Sequence, residues 1–295
     1  MKLLVTGASG LVGSRFLELT KYNKSLLTPD LPEFDLTSPK TVHNVVQTFK
    51  PDVIIHFAAF TDVTAAENQK GDKSGLCWQV NVVGTKNLLT SAKTAAAKFI
   101  YISTDMVFSG STSDPGPYTE DHLPESNPDH LTWYGYSKAM SEELVRQARE
   151  TVVRIIYPVR SSFPAKLDYL RKPLSLFDQG KLYPLFSDQQ ISITFIDELC
   201  LALDKIITIK KPGIYHVSSG DTTTPYDLIS YLIKKARGKE SVVQKSSLMD
   251  FLKTASNPNR YPIYGGLSVQ KTETELGIKF SSWHQIVDQI VASTA

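Results

Sequence analysis

Four short runs in the first half of the chain are apolar without alternation: Leu3-Leu4-Val5, Val53 to Phe57, Phe99 to Ile102, and Val152 to Ile156. Unbroken apolar runs of this length fit strands covered on both faces, as in a parallel sheet, whereas a half-exposed strand alternates polar and apolar positions. Between the runs the apolar positions recur at helical spacing and predict helices over 11–22, 39–49, 78–97 and 134–150. The stretch Gln79 to Lys98 is rich in Ala, Leu and Val, with Lys93 and Lys98 near its end, where the helix dipole favours cations. Repeated strand–helix–strand units with right-handed crossovers define an α/β fold, a doubly wound parallel sheet of the Rossmann type.

Past residue 157 the regularity fades. Pro158, Pro164, Pro173 and Pro184 punctuate the chain, and the segment 239–262, with Pro258 and Pro262, reads as a meandering connection. A strand at 213–217, a helix over 225–237 and a last helix from Ser282 to Ala292 remain readable. The expected division is a first domain over 1–157 and a smaller, interleaved second domain over 158–295, with some chain returning to the first sheet.

Composition narrows the classes. Of 295 residues, 41% are hydrophobic and 21% charged, which suits a soluble globular protein with a sizeable core. The net charge is +2 and no basic run or Arg-rich stripe occurs, so nucleic acid and anionic membrane surfaces are not expected partners. No apolar stretch approaches the ~20 residues of a membrane span. Met1 leads directly into a strand and then glycines rather than a leader, so a cytoplasmic location is expected. Cys77 and Cys200, outside any CxxC pattern, are expected to be free thiols. The histidines (His43, His56, His122, His130, His216 and His284) show no metal-ligand spacing, so no metal site is expected. No G-x-S-x-G elbow points to a hydrolase.

Chemistry enters at the first turn. Thr6-Gly7-Ala8-Ser9-Gly10-Leu11-Val12-Gly13 follows the first strand and opens a helix. Gly7 makes the tight turn, Gly10 lets backbone approach a pyrophosphate, and Gly13 lets helix and strand pack closely. The helix start adds N–H groups and a partial positive charge, and Ser9, Leu11 and Val12 share the contact. No Gly-Lys-Ser/Thr follows, so this is not a P-loop. Asp30, about twenty residues beyond Gly10, stands where an acid accepts from the adenosine ribose, which favours NAD over NADP. It reads equally as a turn aspartate between Pro29 and Pro32. Asp35 is a second acid, suited to the adenine edge or to capping the helix after Pro39.

Tyr134-Gly135-Tyr136-Ser137-Lys138 places Tyr134 and Lys138 at i and i+4, on one helix face. A free phenol titrates near ~10, and a neighbouring ammonium is expected to pull that value down and make Tyr134 a usable acid–base group. Tyr136 points elsewhere. The spacing alone is common. Ser103-Thr104-Asp105, at the carboxyl end of the run Phe99 to Ile102, adds a hydroxyl able to hold a substrate oxygen for Tyr134. Asp105 is either a helper acid or an Asx-turn residue. His56 reads as strand-end packing.

These strings resemble the extended short-chain dehydrogenase/reductases, and most of all the dTDP-4-dehydrorhamnose reductase branch. The resemblance rests on Val5 to Gly13, His56-Phe57-Ala58-Ala59-Phe60-Thr61, Val80 to Thr85, Tyr101 to Gly110, Tyr134 to Lys138, Asn259 to Pro262 and Glu275 to Ile278. It implies a catalytic set of Thr104, Tyr134 and Lys138, with Lys138 also on the nicotinamide ribose. It further implies support from Asn81 and close approach of the cofactor, NAD or NADP, to Ala58 and Ala59. The implied substrate is a nucleotide-linked 4-keto sugar, and a homodimer is the assembly considered. Some members of that branch use magnesium, but no carboxylate cage for it is evident here. One string departs: Arg154-Ile155-Ile156-Tyr157-Pro158-Val159-Arg160 replaces the usual Arg-x-Ser/Pro-x-x-Tyr-Gly. Arg160, Gln190, Thr194 and Arg260 are therefore candidates only, for a substrate pyrophosphate. Two other readings stand beside the reductase. One is a nucleotide-sugar epimerase or dehydratase with bound NAD, against which Thr104-Asp105-Met106 lacks the dehydratase Asp-Glu pair. The other is a non-catalytic, dinucleotide-binding regulatory subunit.

Overall fold

The apolar runs become buried strands in the computed structural model of the protein, which describes residues 1–240 and 242–293. Residues 241, 294 and 295, within the second expected domain, lie outside the described residues. The chain forms two compact units. The first comprises Met1–Phe108, Leu123–Arg154 and Cys200–Tyr215. Its elements are β1 (Leu3–Thr6), α1 (Leu11–Leu19), β2 (Leu26–Leu27), α2 (Pro39–Phe49) and β3 (Val53–His56). There follow α3 (Val63–Glu67), α4 (Leu76–Trp78), α5 (Thr85–Thr94), β4 (Lys98–Thr104), α6 (Trp133–Gln147) and β5 (Thr151–Ile155). The helix Ile196–Ile209 and the strand Ile214–Val217 return part of the later chain to this unit.

The six-stranded sheet has the order β2, β1, β3, β4, β5 and then Ile214–Val217. β1 pairs in parallel with β2 and β3, and β3 in parallel with β4. Register explains the two covered faces. Leu4, Ile54 and Phe99 form one row across the sheet and pack with Val42, Val46, Leu88, Ala92 and Val145 of α2, α5 and α6. The alternate residues, Val53 and Ile100 among them, turn to the opposite face, where Ile206 and Ile207 lie. On that side the end of α1 is tied down by Asp204, which accepts from the Thr20 hydroxyl at 2.7 Å. Strand order reverses between β1 and β3, the switch point where ligands of open α/β sheets bind.

The helix expected over 78–97 is three pieces: α4, a π-helical segment at Gln79–Gly84, and α5. The cause is at Asn81, whose carbonyl accepts from the Thr85 hydroxyl (2.5 Å) and the Ser141 hydroxyl (2.7 Å). Side-chain donors at that carbonyl disturb the regular ladder, and such bulges gather at functional sites.

The second unit comprises Ser109–His122, Ile155–Leu199 and His216–Ala295. Short parallel pairs, Pro158–Val159 with Thr194–Phe195 and Leu185–Phe186 with Lys245–Ser246, accompany helices at Pro225–Arg237 and Trp283–Ala292. Leu228, Leu232, Ile286, Val287 and Ile290 of those helices share a core with Ile191, Ile193 and Phe195. Thr224 caps the first helix and Gly238, at φ 64°, ends it; Ser282 and Gln285 form a capping box on the second. The helices Arg171–Asp178, Leu248–Leu252 and Gln270–Leu276 were not legible, being short and, in the first, interrupted by Pro173. The helix Ile196–Ile209 also went unread, although Ile196, Leu199, Cys200, Leu203, Ile206 and Ile207 keep helical spacing and are all buried.

Candidate active site

The turn after β1 has the shape its glycines require. Gly7 sits at φ 68°, and a Cβ there would meet the Ala58 nitrogen at 2.6 Å. Gly13 faces the Gly7 carbonyl with no room for a side chain. Gly10 differs: it is exposed, and a Cβ would touch only the Gly7 carbonyl, at 3.3 Å. Its bareness is not needed for packing and instead opens the backbone to a ligand. No side-chain hydrogen bond from Gly10 caps α1. The Ser9 hydroxyl donates to Asp30 at 3.1 Å, which joins the phosphate turn to the acid beyond β2. Asp35 is occupied locally: it accepts from the Thr37 amide and hydroxyl, both at 2.8 Å. Ser38, not Asp35, caps α2. Ala58 and Ala59 lie in the half-buried turn after β3, beside Gly7. The residues present fit a dinucleotide.

His56, at the end of β3, bonds the hydroxyls of Thr6 (2.7 Å) and Thr85 (3.0 Å). Burial, with the charge of Lys138, lowers its pKa to about 3, so it stays neutral and acts as packing. The Asn81 side chain accepts from the Phe60 amide (2.8 Å) and donates to the Ser137 hydroxyl (2.8 Å). It thereby joins the turn after β3 to α6.

Thr104 ends β4; its hydroxyl accepts from the Met106 amide (3.2 Å) and donates to Asp105 (3.0 Å). Asp105 thus combines a turn role with an acidic one: burial raises its pKa to about 7, against the lowering bond from Thr104. α6 begins on Thr132, which caps Gly135. Gly135 packs on the Met106 carbonyl where a Cβ would not fit, which brings the start of α6 onto the turn bearing Thr104. Tyr134, Ser137 and Lys138 are all buried on this side, and Tyr136 turns to Trp78 and Trp133 instead.

One expectation is corrected. Tyr134 is not made more acidic by Lys138: burial, then the charges of Asp105 and Cys77, raise its pKa well above that of a free phenol. The Lys138 ammonium is directed elsewhere, donating to the Ile102 carbonyl (2.7 Å) and lying 4.0 Å from the Tyr101 ring centre. Burial lowers its own pKa to about 7, against Glu142 and Cys77, which raise it.

Other residues had gone unread. Glu142, one turn beyond Lys138, is buried with Arg154 in an ion pair and accepts from the Ser103 hydroxyl at 2.9 Å. Its signals were present: i+4 from Lys138 continues the Tyr134 stripe, and Arg154 interrupts an apolar strand. The four substrate-side candidates lie in the second unit. The Thr194 hydroxyl is committed to backbone, donating to Val217 (2.6 Å) and accepting from Ile156 (2.9 Å), so it is a structural group. Gln190 donates to the Gly265 carbonyl (2.8 Å), Asp168 accepts from the Arg160 amide (3.2 Å), and Arg260 ends a short turn. Cys77 and Cys200 are buried free thiols. Among the described residues no cluster of three or more metal-binding side chains occurs, and no helix is long and apolar enough to cross a membrane.

The family model described as the RmlD substrate binding domain matches residues 1–295. The chain belongs to the RmlD family. It is an extended short-chain dehydrogenase/reductase. Among RmlD-like relatives, dTDP-4-dehydrorhamnose reductase of Aggregatibacter actinomycetemcomitans is 27% identical over 303 residues, covering 99% of this chain and 98% of the relative. Spore coat polysaccharide biosynthesis protein SpsK of Bacillus subtilis (strain 168) is 29% identical over 292 residues, covering 96% and 94%. Methionine adenosyltransferase 2 subunit beta of Xenopus laevis is 32% identical over 244 residues, covering 77% of this chain and 70% of its own length. Among solved structures, dTDP-4-dehydrorhamnose reductase from Bacillus anthracis in complex with NADP matches with a TM-score of 0.82 and 25% identity over 100% of this chain.

Proposed function

We propose that this RmlD-family chain is an NAD(P)H-dependent reductase of a nucleotide-linked 4-keto sugar. One observation carries the reading: Thr104 at the end of β4, with the α6 face bearing Tyr134 and Lys138 seated on the turn that follows it through Gly135 and Met106. Full-length relatives named as dTDP-4-dehydrorhamnose reductases support the substrate class.

The bound dinucleotide supplies the hydride. Gly7, Ser9, Gly10, Leu11, Val12 and Gly13 would hold its pyrophosphate, Ala58 and Ala59 would allow its close approach, and Asp30 would accept from the adenosine ribose and favour NAD. Asp35 stands toward the adenine edge. Lys138 would hold the nicotinamide ribose, and Asn81 braces that helix through Ser137. Tyr134, kept a neutral phenol by burial, donates the proton from its Oη to the keto oxygen, and Thr104 Oγ1 orients that oxygen. Arg160, Gln190 and Arg260 are the polar candidates for the sugar-nucleotide pyrophosphate. A homodimer and a cytoplasmic location belong to the same reading.

The test is a panel of nucleotide-linked 4-keto sugars followed at the nicotinamide absorbance. Stoichiometric loss of NADH or NADPH is expected; no turnover with any member removes the assignment. Isomerised sugar with unchanged cofactor would instead mark an epimerase. The relative named as a subunit favours one further reading, a dinucleotide-binding partner of another enzyme, in which Tyr134→Phe leaves the biological role intact.

A further inference from the structure

Glu142 and Arg154 are both fully buried, and their ion pair lies beneath the candidate site. The Arg154 Nε reaches both carboxylate oxygens, at 3.2 and 3.1 Å, and its Nη2 also contacts Oε1. The second carboxylate oxygen accepts from Ser103 Oγ at 2.9 Å. The guanidinium stacks 4.8 Å from the Phe108 ring centre. Each oxygen of the carboxylate therefore has a partner, and the three linked residues, Ser103, Glu142 and Arg154, come from three elements: β4, α6 and β5.

Stability alone does not account for a charged group there. Withdrawing two charges from water costs several kcal/mol per ion in practice, and apolar pairs of similar volume often serve as well or better. What an apolar pair lacks is direction. Ser103 immediately precedes Thr104 on an extended strand, where neighbouring side chains point to opposite faces. Holding the Ser103 hydroxyl on one face therefore fixes the rotation of Thr104 toward the other. Glu142 follows Lys138 by four residues and Tyr134 by eight, so it lies on their helix stripe. The same carboxylate that anchors the Thr104 strand thus anchors the register of the helix carrying the other two groups.

We propose that Glu142 is a positioning residue which, by binding Ser103 and Arg154 together, sets how the strand end bearing Thr104 faces the helix bearing Tyr134 and Lys138. The inference rests on the reductase reading for its kinetic consequence, not for the geometry. Its charge also favours the protonated form of Lys138, in support of the same role.

The test starts from Ser103→Ala, which removes only the link to β4. In single turnovers with a nucleotide-linked 4-keto sugar, hydride transfer is expected to slow about ten-fold or more, since small misplacements of reacting groups carry such costs. The sugar KM, the dinucleotide dissociation constant and the thermal midpoint should stay near wild type, and Ser103→Thr should recover most of the rate. Amide exchange should rise at residues 104–107. Glu142→Met with Arg154→Met, which avoids a stranded charge, should fold and yet remain slow, with the alkaline limb of its rate profile displaced to lower pH. Wild-type rates in Ser103→Ala or in the double variant overturn the proposal. If the wild type reduces no such sugar, the reductase reading fails separately. Exchange at 104–107 then decides: raised in Ser103→Ala, the clamp holds; unchanged, it falls.

Discussion

The Lys138 ammonium lies 4.0 Å from the centre of the Tyr101 ring, and its remaining direction is taken by the Ile102 carbonyl. Both groups belong to β4, the strand that also ends in Thr104. An aromatic face and a carbonyl together replace part of the hydration that a buried ammonium loses, and a desolvated cation–π contact is worth about 2 kcal/mol. Burial brings the Lys138 pKa down to about 7, against the charges of Glu142 and Cys77, which raise it. The ammonium rests against β4 rather than on Tyr134.

That arrangement gives a pH dependence of definite sign. The Lys138 pKa is lowered from 10.5 to about 7, so the charge is present below that pH and lost as pH rises through it. A profile of kcat/KM, which reports the free enzyme, should fall above about pH 7. Tyr101→Leu should move the limb down by about one pH unit, the equivalent of ~1.4 kcal/mol of lost support. Tyr101→Phe, which keeps the ring face, should leave it in place.

Tyr134→Phe removes the proposed proton donor and little else. Loss of a positioned acid typically costs 10²–10⁴-fold, and kcat should fall by about that factor. NADPH binding, followed by quenching or energy transfer, and the thermal midpoint should match wild type. Activity within a few-fold of wild type would shift the proton to another group.

Asp105→Asn should stabilise the protein in one pH window. Burial raises the Asp105 pKa from 3.8 in the unfolded chain to about 7 in the folded one. The folded state therefore binds the proton more tightly, and its stability declines as pH climbs between those values. Asparagine escapes that cost, so its melting temperature should exceed wild type at pH 8 and converge with it near pH 4. A constant difference across the range would contradict the shift.

Gly13→Ala tests the phosphate turn. The added methyl would be driven into the Gly7 carbonyl, and overpacking of that kind costs about 1–3 kcal/mol. A lowered melting temperature and weakened dinucleotide binding are expected together. Gly180→Ala, at an exposed turn with open space, should leave dinucleotide binding unchanged.

The parallel sheet was readable because each of its central strands is short, apolar on both faces and bounded by turn residues; Val53–His56 needed no partner to declare itself. Tyr134, Lys138 and the glycines of the first turn were equally local, since a four-residue spacing or a tight turn is a property of contiguous chain. The helix at Ile196–Ile209 was also written in its spacing but went unread. The break at Gln79–Gly84 was not, because it depends on Ser141, sixty residues away, reaching the Asn81 carbonyl.

The sequence by itself therefore determined the sheet, the phosphate turn and the identity of the tyrosine–lysine pair. Only the tertiary structure decided where Lys138 points and that Tyr134 is made less acidic rather than more. It alone joined Ser103, Glu142 and Arg154 into one clamp. The reason is physical: desolvation and ion pairing depend on neighbours brought from distant chain, and spacing along one helix carries no information about them.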